Sequence, residues 1–147
     1  GISIVSVAMF RDTVNRAEDR SLSAHYFIAS SLIKDLQVVK SRGTDIDASL
    51  SSLLQPYMYL SGDNKAGLVF YKNNRLVFSS KDATVLQSNF MEPPGNGNCL
   101  ATIRKIDGRT YVVVSGKLPV PYDFYTLVYF YDTTEAINSS IPIIFWA

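Results

Sequence analysis

The sequence predicts an α+β domain: a five-stranded antiparallel sheet, a long N-terminal helix packed on one face of it, and a C-terminal helix leading out of it. Three observations carry this prediction. From Ile4 to about Ser41 neither proline nor glycine interrupts a run whose apolar residues recur at helical spacing. After Lys65 the period changes to that of strands, punctuated by Asn73-Asn74 and Asp107-Gly108. Finally, the strand-like Tyr125–Tyr131 runs directly into Asp132-Thr133-Thr134-Glu135, a helix start in which Asp132 caps the first turn and Glu135 reaches back in a reciprocal capping box.

The 147 residues are read as a single domain, with the long helix over about 1–42, the sheet over about 66–132 and the outgoing helix over about 133–147. A chain of this length buries roughly two-thirds of its unfolded surface and needs no disulfide. None can form within it, because Cys99 is the only cysteine, and one cysteine with one histidine excludes the usual zinc spacings. Metal ligands and cofactors are therefore not expected. Fourteen basic residues against thirteen acidic ones, with no basic cluster interleaved with aromatics, argue against nucleic acid as a partner. The apolar stretches Gly1–Phe10 and Ile141–Ala147 both fall short of the roughly 20 residues that span a bilayer. They read either as stubs of spans in a longer chain or as buried helix ends.

The long helix carries two apolar stripes. Val7, Phe10, Val14, Ala17, Ser21, Ala24, Ile28 and Ser31 follow coiled-coil spacing; Leu22, Tyr26, Ala29, Ile33 and Leu36, flanked by Leu32 and Val39, form the second. One small sheet cannot cover both, so the first stripe is assigned to a partner helix in a parallel homodimer and the second to the domain's own sheet. The alternative is one wide core that takes both. Arg42-Gly43 ends the helix, and Thr44–Asp47 offers a cap for a shorter one over about Asp47–Leu60, burying Leu50, Leu53, Leu54, Tyr57 and Met58, with Pro56 as a kink or an early stop.

The strands follow as Gly67–Tyr71 and Arg75–Ser79, then Cys99–Ile106 and Arg109–Leu118, then Tyr125–Tyr131. Between the first two pairs, Lys81 to Asn98 lacks periodicity and reads as either a mobile or a functional insert, one able to lid a pocket. The two-residue turn at Asp107-Gly108 sets a register in which Ile106 faces Arg109, Arg104 faces Tyr111, Thr102 faces Val113 and Leu100 faces Ser115. Cys99, Ala101, Ile103, Val112, Val114 and Leu118 then share a core face. Arg104, Tyr111 and Lys117 lie opposite, on a mixed face that meets either water or a ligand, and are the best candidates for a ligand, since they combine cationic donors with an aromatic. Catalysis finds little support: the single histidine, His25, sits beside a buried stripe, and Cys99 reads as a small core hydrophobe with no base near it in sequence.

This element order, the helical stretch Ala24–Ile33, the strand pair Gly67–Ser80, the strand Gly108–Gly116 and the Asp132–Glu135 junction resemble the extracytoplasmic PAS-like sensor domains, the Cache or PDC group, of bacterial membrane receptors, especially sensor histidine kinases. The resemblance covers nearly the whole chain and is architectural. It implies a PAS-like sheet and a homodimer joined through the N-terminal helix at Val7, Phe10, Val14, Ala17, Ala24 and Ile28. Flanking spans would hold the domain outside the cell membrane, where it binds an unidentified small molecule. Asp132 and Glu135 would couple the sheet to the outgoing helix. Kinase chemistry would lie in the cytoplasmic part of the parent protein, so no catalytic residue is expected here. The same fold serves chemoreceptors and cyclic-dinucleotide enzymes, and a soluble binding protein or enzyme is the reading from a different class.

Overall fold

The computed structural model describes residues 4–59, 62–80 and 99–140. Helix α1 runs over Ile4–Ser41 and α2 over Ile46–Leu54, followed by a 3₁₀ turn at Gln55–Tyr59. The strands are β1 (Ala66–Lys72), β2 (Arg75–Ser79), β3 (Leu100–Ile106), β4 (Arg109–Lys117) and β5 (Tyr125–Asp132), and helix α3 is Thr134–Ser140. The insert 81–98, Leu60 and the apolar run after Ser140 lie outside the described residues.

All five strands pair antiparallel in the order β2-β1-β5-β4-β3, so the last strand in sequence inserts between the first strand and the β3–β4 hairpin. The hairpin register matches the sequence prediction pair for pair, from Ile106 opposite Arg109 to Leu100 opposite Ser115. Its turn explains why: Asp107 and Gly108 both take positive φ, 51° and 78°, the conformation whose twist suits two strands. Asn73 and Asn74 do the same between β1 and β2.

Helix α1 lies over β4 and β5 and touches both other helices. Ile28, Leu32 and Leu36 meet Leu50 and Leu54 of α2 and Leu68, Phe70, Tyr125 and Leu127 of the sheet, all essentially solvent-free. At roughly 1.5–3 kcal/mol for each fully buried aliphatic or aromatic side chain, this layer is the main stabilising term. Tyr125 also ties α2 down: its hydroxyl donates to Asp47 Oδ1 at 3.0 Å while Lys72 donates to Oδ2 at 2.7 Å. The other face of the sheet carries a second apolar cluster of Val69, Tyr71, Val128 and Phe130, flanked by Ile106, Tyr111 and Val113. The hairpin alone made this face look mixed; β1 and β5 make it apolar.

The stripes of α1 are divided differently from the sequence expectation. Ser21 and Ile28 are buried and Ala24 packs on the same cluster, so the C-terminal half of the stripe assigned to a partner faces the domain's own sheet. Ala24 and Ile28 are therefore core residues of this chain. Tyr26, assigned to the sheet, is 75% exposed. Periodicity locates an apolar face but does not say what covers it, and here one continuous face serves the sheet over its second half only. Val7 and Phe10, in the first half, are exposed, and Val14 and Ala17 are half-buried beside α3. The second helix also differs: α2 ends at Leu54, and Pro56, which lacks the N–H that an α-helical turn needs, falls in a 3₁₀ turn. Leu53 of α2 and Tyr57 and Met58 of the turn still pack against the core.

Two substitutions test this packing. Ile28→Ala should cost about 2–5 kcal/mol in denaturant unfolding of the dilute, monomeric chain, whereas Val7→Ala should there stay within about 0.5 kcal/mol of the parent. Gly67→Ala places a Cβ 1.9 Å from the ring of Phe130, which leans over this glycine, and should destabilise by about 1–3 kcal/mol in the same measurement.

Candidate functional site

The junction between β5 and α3 is the most densely bonded polar feature among the described residues. Strand β5 stops at Asp132 and α3 starts two residues later, so one carboxylate serves both elements. Its Oδ1 accepts the backbone N–H and the hydroxyl of Thr134, at 3.0 and 2.5 Å, and thereby caps the helix. Its Oδ2 accepts Nε of Arg109, the first residue of β4, at 2.5 Å. The same guanidinium donates through Nη2 to Glu135 Oε1 at 2.7 Å, and Lys65, just before β1, lies 3.8 Å from Oε2.

Backbone bonds stitch the same place. The N–H and the hydroxyl of Thr133 both donate to the carbonyl of Thr110, at 2.8 and 3.0 Å, and the N–H of Thr110 donates to the Thr134 hydroxyl oxygen at 2.9 Å. Thr133 and Thr134 are buried by this arrangement. The expected capping box is thus half present. Asp132 caps as predicted, but Glu135 does not reach back, because the Asp132 N–H is already donated to the Lys65 carbonyl at 3.0 Å and Arg109 holds the Glu135 carboxylate.

Charge follows geometry. Burial would raise the Asp132 carboxyl, but the bonds from Arg109 and Thr134 outweigh it and hold the group below the usual carboxylate range. Hydrogen bonding from Arg109 likewise lowers Glu135, and the two carboxylates keep the guanidinium firmly protonated. A bidentate cation between two acids on different elements is directional as well as attractive.

Helix α1 runs alongside. Ile137 of α3 is buried, and two concavities flank the contact. One, of about 400 Å³, is lined by Phe10, Val14, Ile103, Thr110, Thr134 and Ile137; the other, of about 190 Å³, by Thr13, Arg16, Ala17, Arg20, Tyr131 and Thr133. Ile103, expected in the core, instead opens onto the first of these, 40% exposed.

Of the predicted ligand residues, Arg104 and Tyr111 are cross-strand neighbours, but Lys117 lies six residues further along β4, roughly 20 Å away. The three do not converge. Tyr111 packs edge-on against Phe130, with ring centroids 5.9 Å apart, as part of the second apolar cluster. Sequence reasoning missed Arg109, Lys65 and the threonines, because their partners are brought together only by the insertion of β5 beside both β1 and β4. The acidic Asp132 and Glu135 were the one visible signal that a cation was needed.

His25 is fully buried on the sheet-facing side of α1, as a packed imidazole. Burial lowers its pKa against the opposing effect of the Leu127 and Gly116 carbonyls, and burial raises that of the neighbouring Cys99 thiol. The pair is therefore an uncharged imidazole beside an uncharged thiol, not an activated nucleophile.

Because Asp132 is held below its ordinary value near 3.8, it contributes stability above that pH, and the contribution is lost as pH falls from there through the lowered value. Asp132→Asn should lower stability at neutral pH by about 1–3 kcal/mol and flatten the loss of stability below pH 4, read from urea midpoints across pH.

Compared with known protein families, with curated proteins and with solved structures, the chain finds no match.

Proposed function

We propose that this chain is the extracytoplasmic sensing domain of a dimeric transmembrane sensor histidine kinase, relaying a small-molecule or environmental signal across the cell membrane to a cytoplasmic, ATP-dependent phosphotransfer unit. One observation carries this reading. The central strand β5 passes without a loop into α3, is fastened there by Asp132, Arg109 and Glu135, and α3 lies directly against α1. Any displacement of β5 relative to β4 is thus delivered to the contact between the first and last helices, the two elements that would continue toward the membrane. A ligand shifts that contact only as far as it binds one arrangement better than the other.

The resemblance to PAS-like sensor domains supports the same reading through the five-stranded antiparallel sheet, the long helix on one of its faces and the outgoing helix. Among the described residues no helix is long and apolar enough to cross a membrane. The homodimer uses the N-terminal part of α1, where Val7, Met9 and Phe10 are 48%, 41% and 37% exposed. Ala24 and Ile28 have no part in it.

The test is made on the full coding sequence expressed in cells. Cys99, which is exposed, should react with a membrane-impermeant maleimide in intact cells, and purified membranes should show ATP-dependent histidine phosphorylation. In a Cys99→Ser background, Phe10→Cys should cross-link into a covalent dimer under mild oxidation. Labelling only after lysis would contradict an extracytoplasmic location; absence of phosphohistidine would contradict the kinase assignment.

A further inference from the structure

The larger of the two concavities beside the junction is built like a small ligand pocket. It lies between the overhanging half of α1, the β3–β4 hairpin and α3, encloses about 400 Å³, and has Phe10, Val14, Ile103 and Ile137 as its apolar walls. Small-molecule pockets occupy roughly 300–1,000 Å³ and pair such walls with a few placed polar groups. The strand shows why this one stays open. Side chains alternate along β3, so Ile103 shares a face with Cys99, which α1 meets through His25; by Ile103 the cover of α1 is incomplete, and the side chain remains 40% exposed.

Two polar side chains complete the lining. Lys105, two residues beyond Ile103 on the same face of β3, and Asn138, next to Ile137 on α3, both line the concavity and are both exposed to solvent. Among the described residues neither side chain has a hydrogen bond or ion pair, whereas Arg16, Lys65, Lys72 and Arg109 each have a carboxylate partner. No acidic side chain among the described residues lines the concavity. An unpaired ammonium beside an amide suits a carboxylate, and the apolar walls suit an aliphatic tail.

We propose that this concavity binds a small amphiphilic monocarboxylate, with its carboxylate against Lys105 and Asn138 and its unbranched tail against Phe10, Val14, Ile103 and Ile137. Thr134 also lines the site, and its N–H and hydroxyl are both bonded to Asp132. A bound tail therefore touches the cap that orients α3 and lies between α3 and α1, where it biases their contact. Binding stands on the concavity alone, while its meaning as the signal rests on the sensing role proposed above.

The test titrates the purified, ¹⁵N-labelled chain of 147 residues with hexanoate, octanoate and decanoate below their micelle thresholds and reads amide shifts. The shifts should centre on Lys105, Thr110, Ile137 and Asn138 and saturate at one ligand per chain, with affinity rising about fourfold for each added methylene that the walls cover. A decyl chain with a quaternary ammonium head should show no saturable binding over the same range. Lys105→Gln, at an exposed position that should leave the fold intact by circular dichroism, should weaken decanoate binding about three- to fivefold. Ile103→Trp should abolish it by filling the concavity. No saturable shift, affinity independent of tail length, equal binding of the cationic amphiphile or of Lys105→Gln, or shifts centred on Val69 and Val128 across the sheet would each overturn the site. So would Lys105 and Asn138 signals that move with protein concentration and ignore decanoate, which would assign the concavity to a second copy of the chain. Histidine phosphorylation in membranes is read separately, so the site can fail while the sensor reading stands.

Discussion

One carboxylate joins the central strand of this domain to its last helix. Asp132 is at once the last residue of the central strand, the cap of α3 and one of two acids gripping Arg109. Were it only a cap, α3, described over Thr134–Ser140, would be attached to the sheet by a swivel. The guanidinium removes the swivel. Arg109 sits on β4, so the direction in which α3 leaves the sheet is set by the strand next to its own, and Thr110 repeats the constraint through backbone and hydroxyl bonds. Lys65, ahead of β1, adds the third strand of the sheet centre.

The second constraint is one of length. Thirty-eight helical residues extend about 57 Å, while strands of seven to nine residues extend about 23–30 Å. Only part of α1 can lie on the sheet. The part that does is buried from Ser21 to Leu36, and the part that overhangs meets α3 through Val14, Ala17 and Ile137. The overhang and the fastened α3 therefore form a two-helix unit at one end of the sheet. It is linked to the sheet's interior by packing on one helix and by hydrogen-bonded charge on the other.

Local features were legible in the sequence, and non-local ones were not. Asp107-Gly108 fixed seven cross-strand pairs because a two-residue turn with two positive φ angles admits one register. The cap at Asp132 was legible for the same reason, since its partners are two residues away. The division of α1 was not: Ser21 and His25 are buried and Tyr26 is exposed, the reverse of their polarity, because the Leu127 carbonyl waits for the imidazole on the sheet side. Nor could the spacing show that Cys99 meets His25, which follows from the packing of α1 over the sheet, or that Arg109 meets Glu135, which follows from the pairing of β4 with β5. Pro56 was visible as an interruption, and the helix gave way one residue before it.

The central claim is that the charge junction is what fastens α3 to the sheet, so that removing Arg109 releases α3 while the sheet stays intact. The direct measurement is residue-resolved amide hydrogen exchange on Arg109→Gln. The account predicts that α3, including the Ile137 N–H that donates to the Thr133 carbonyl, loses protection while the β4–β5 ladder from Val112 to Tyr131 keeps it. Unchanged protection in α3, or loss of β5 together with α3, would contradict it.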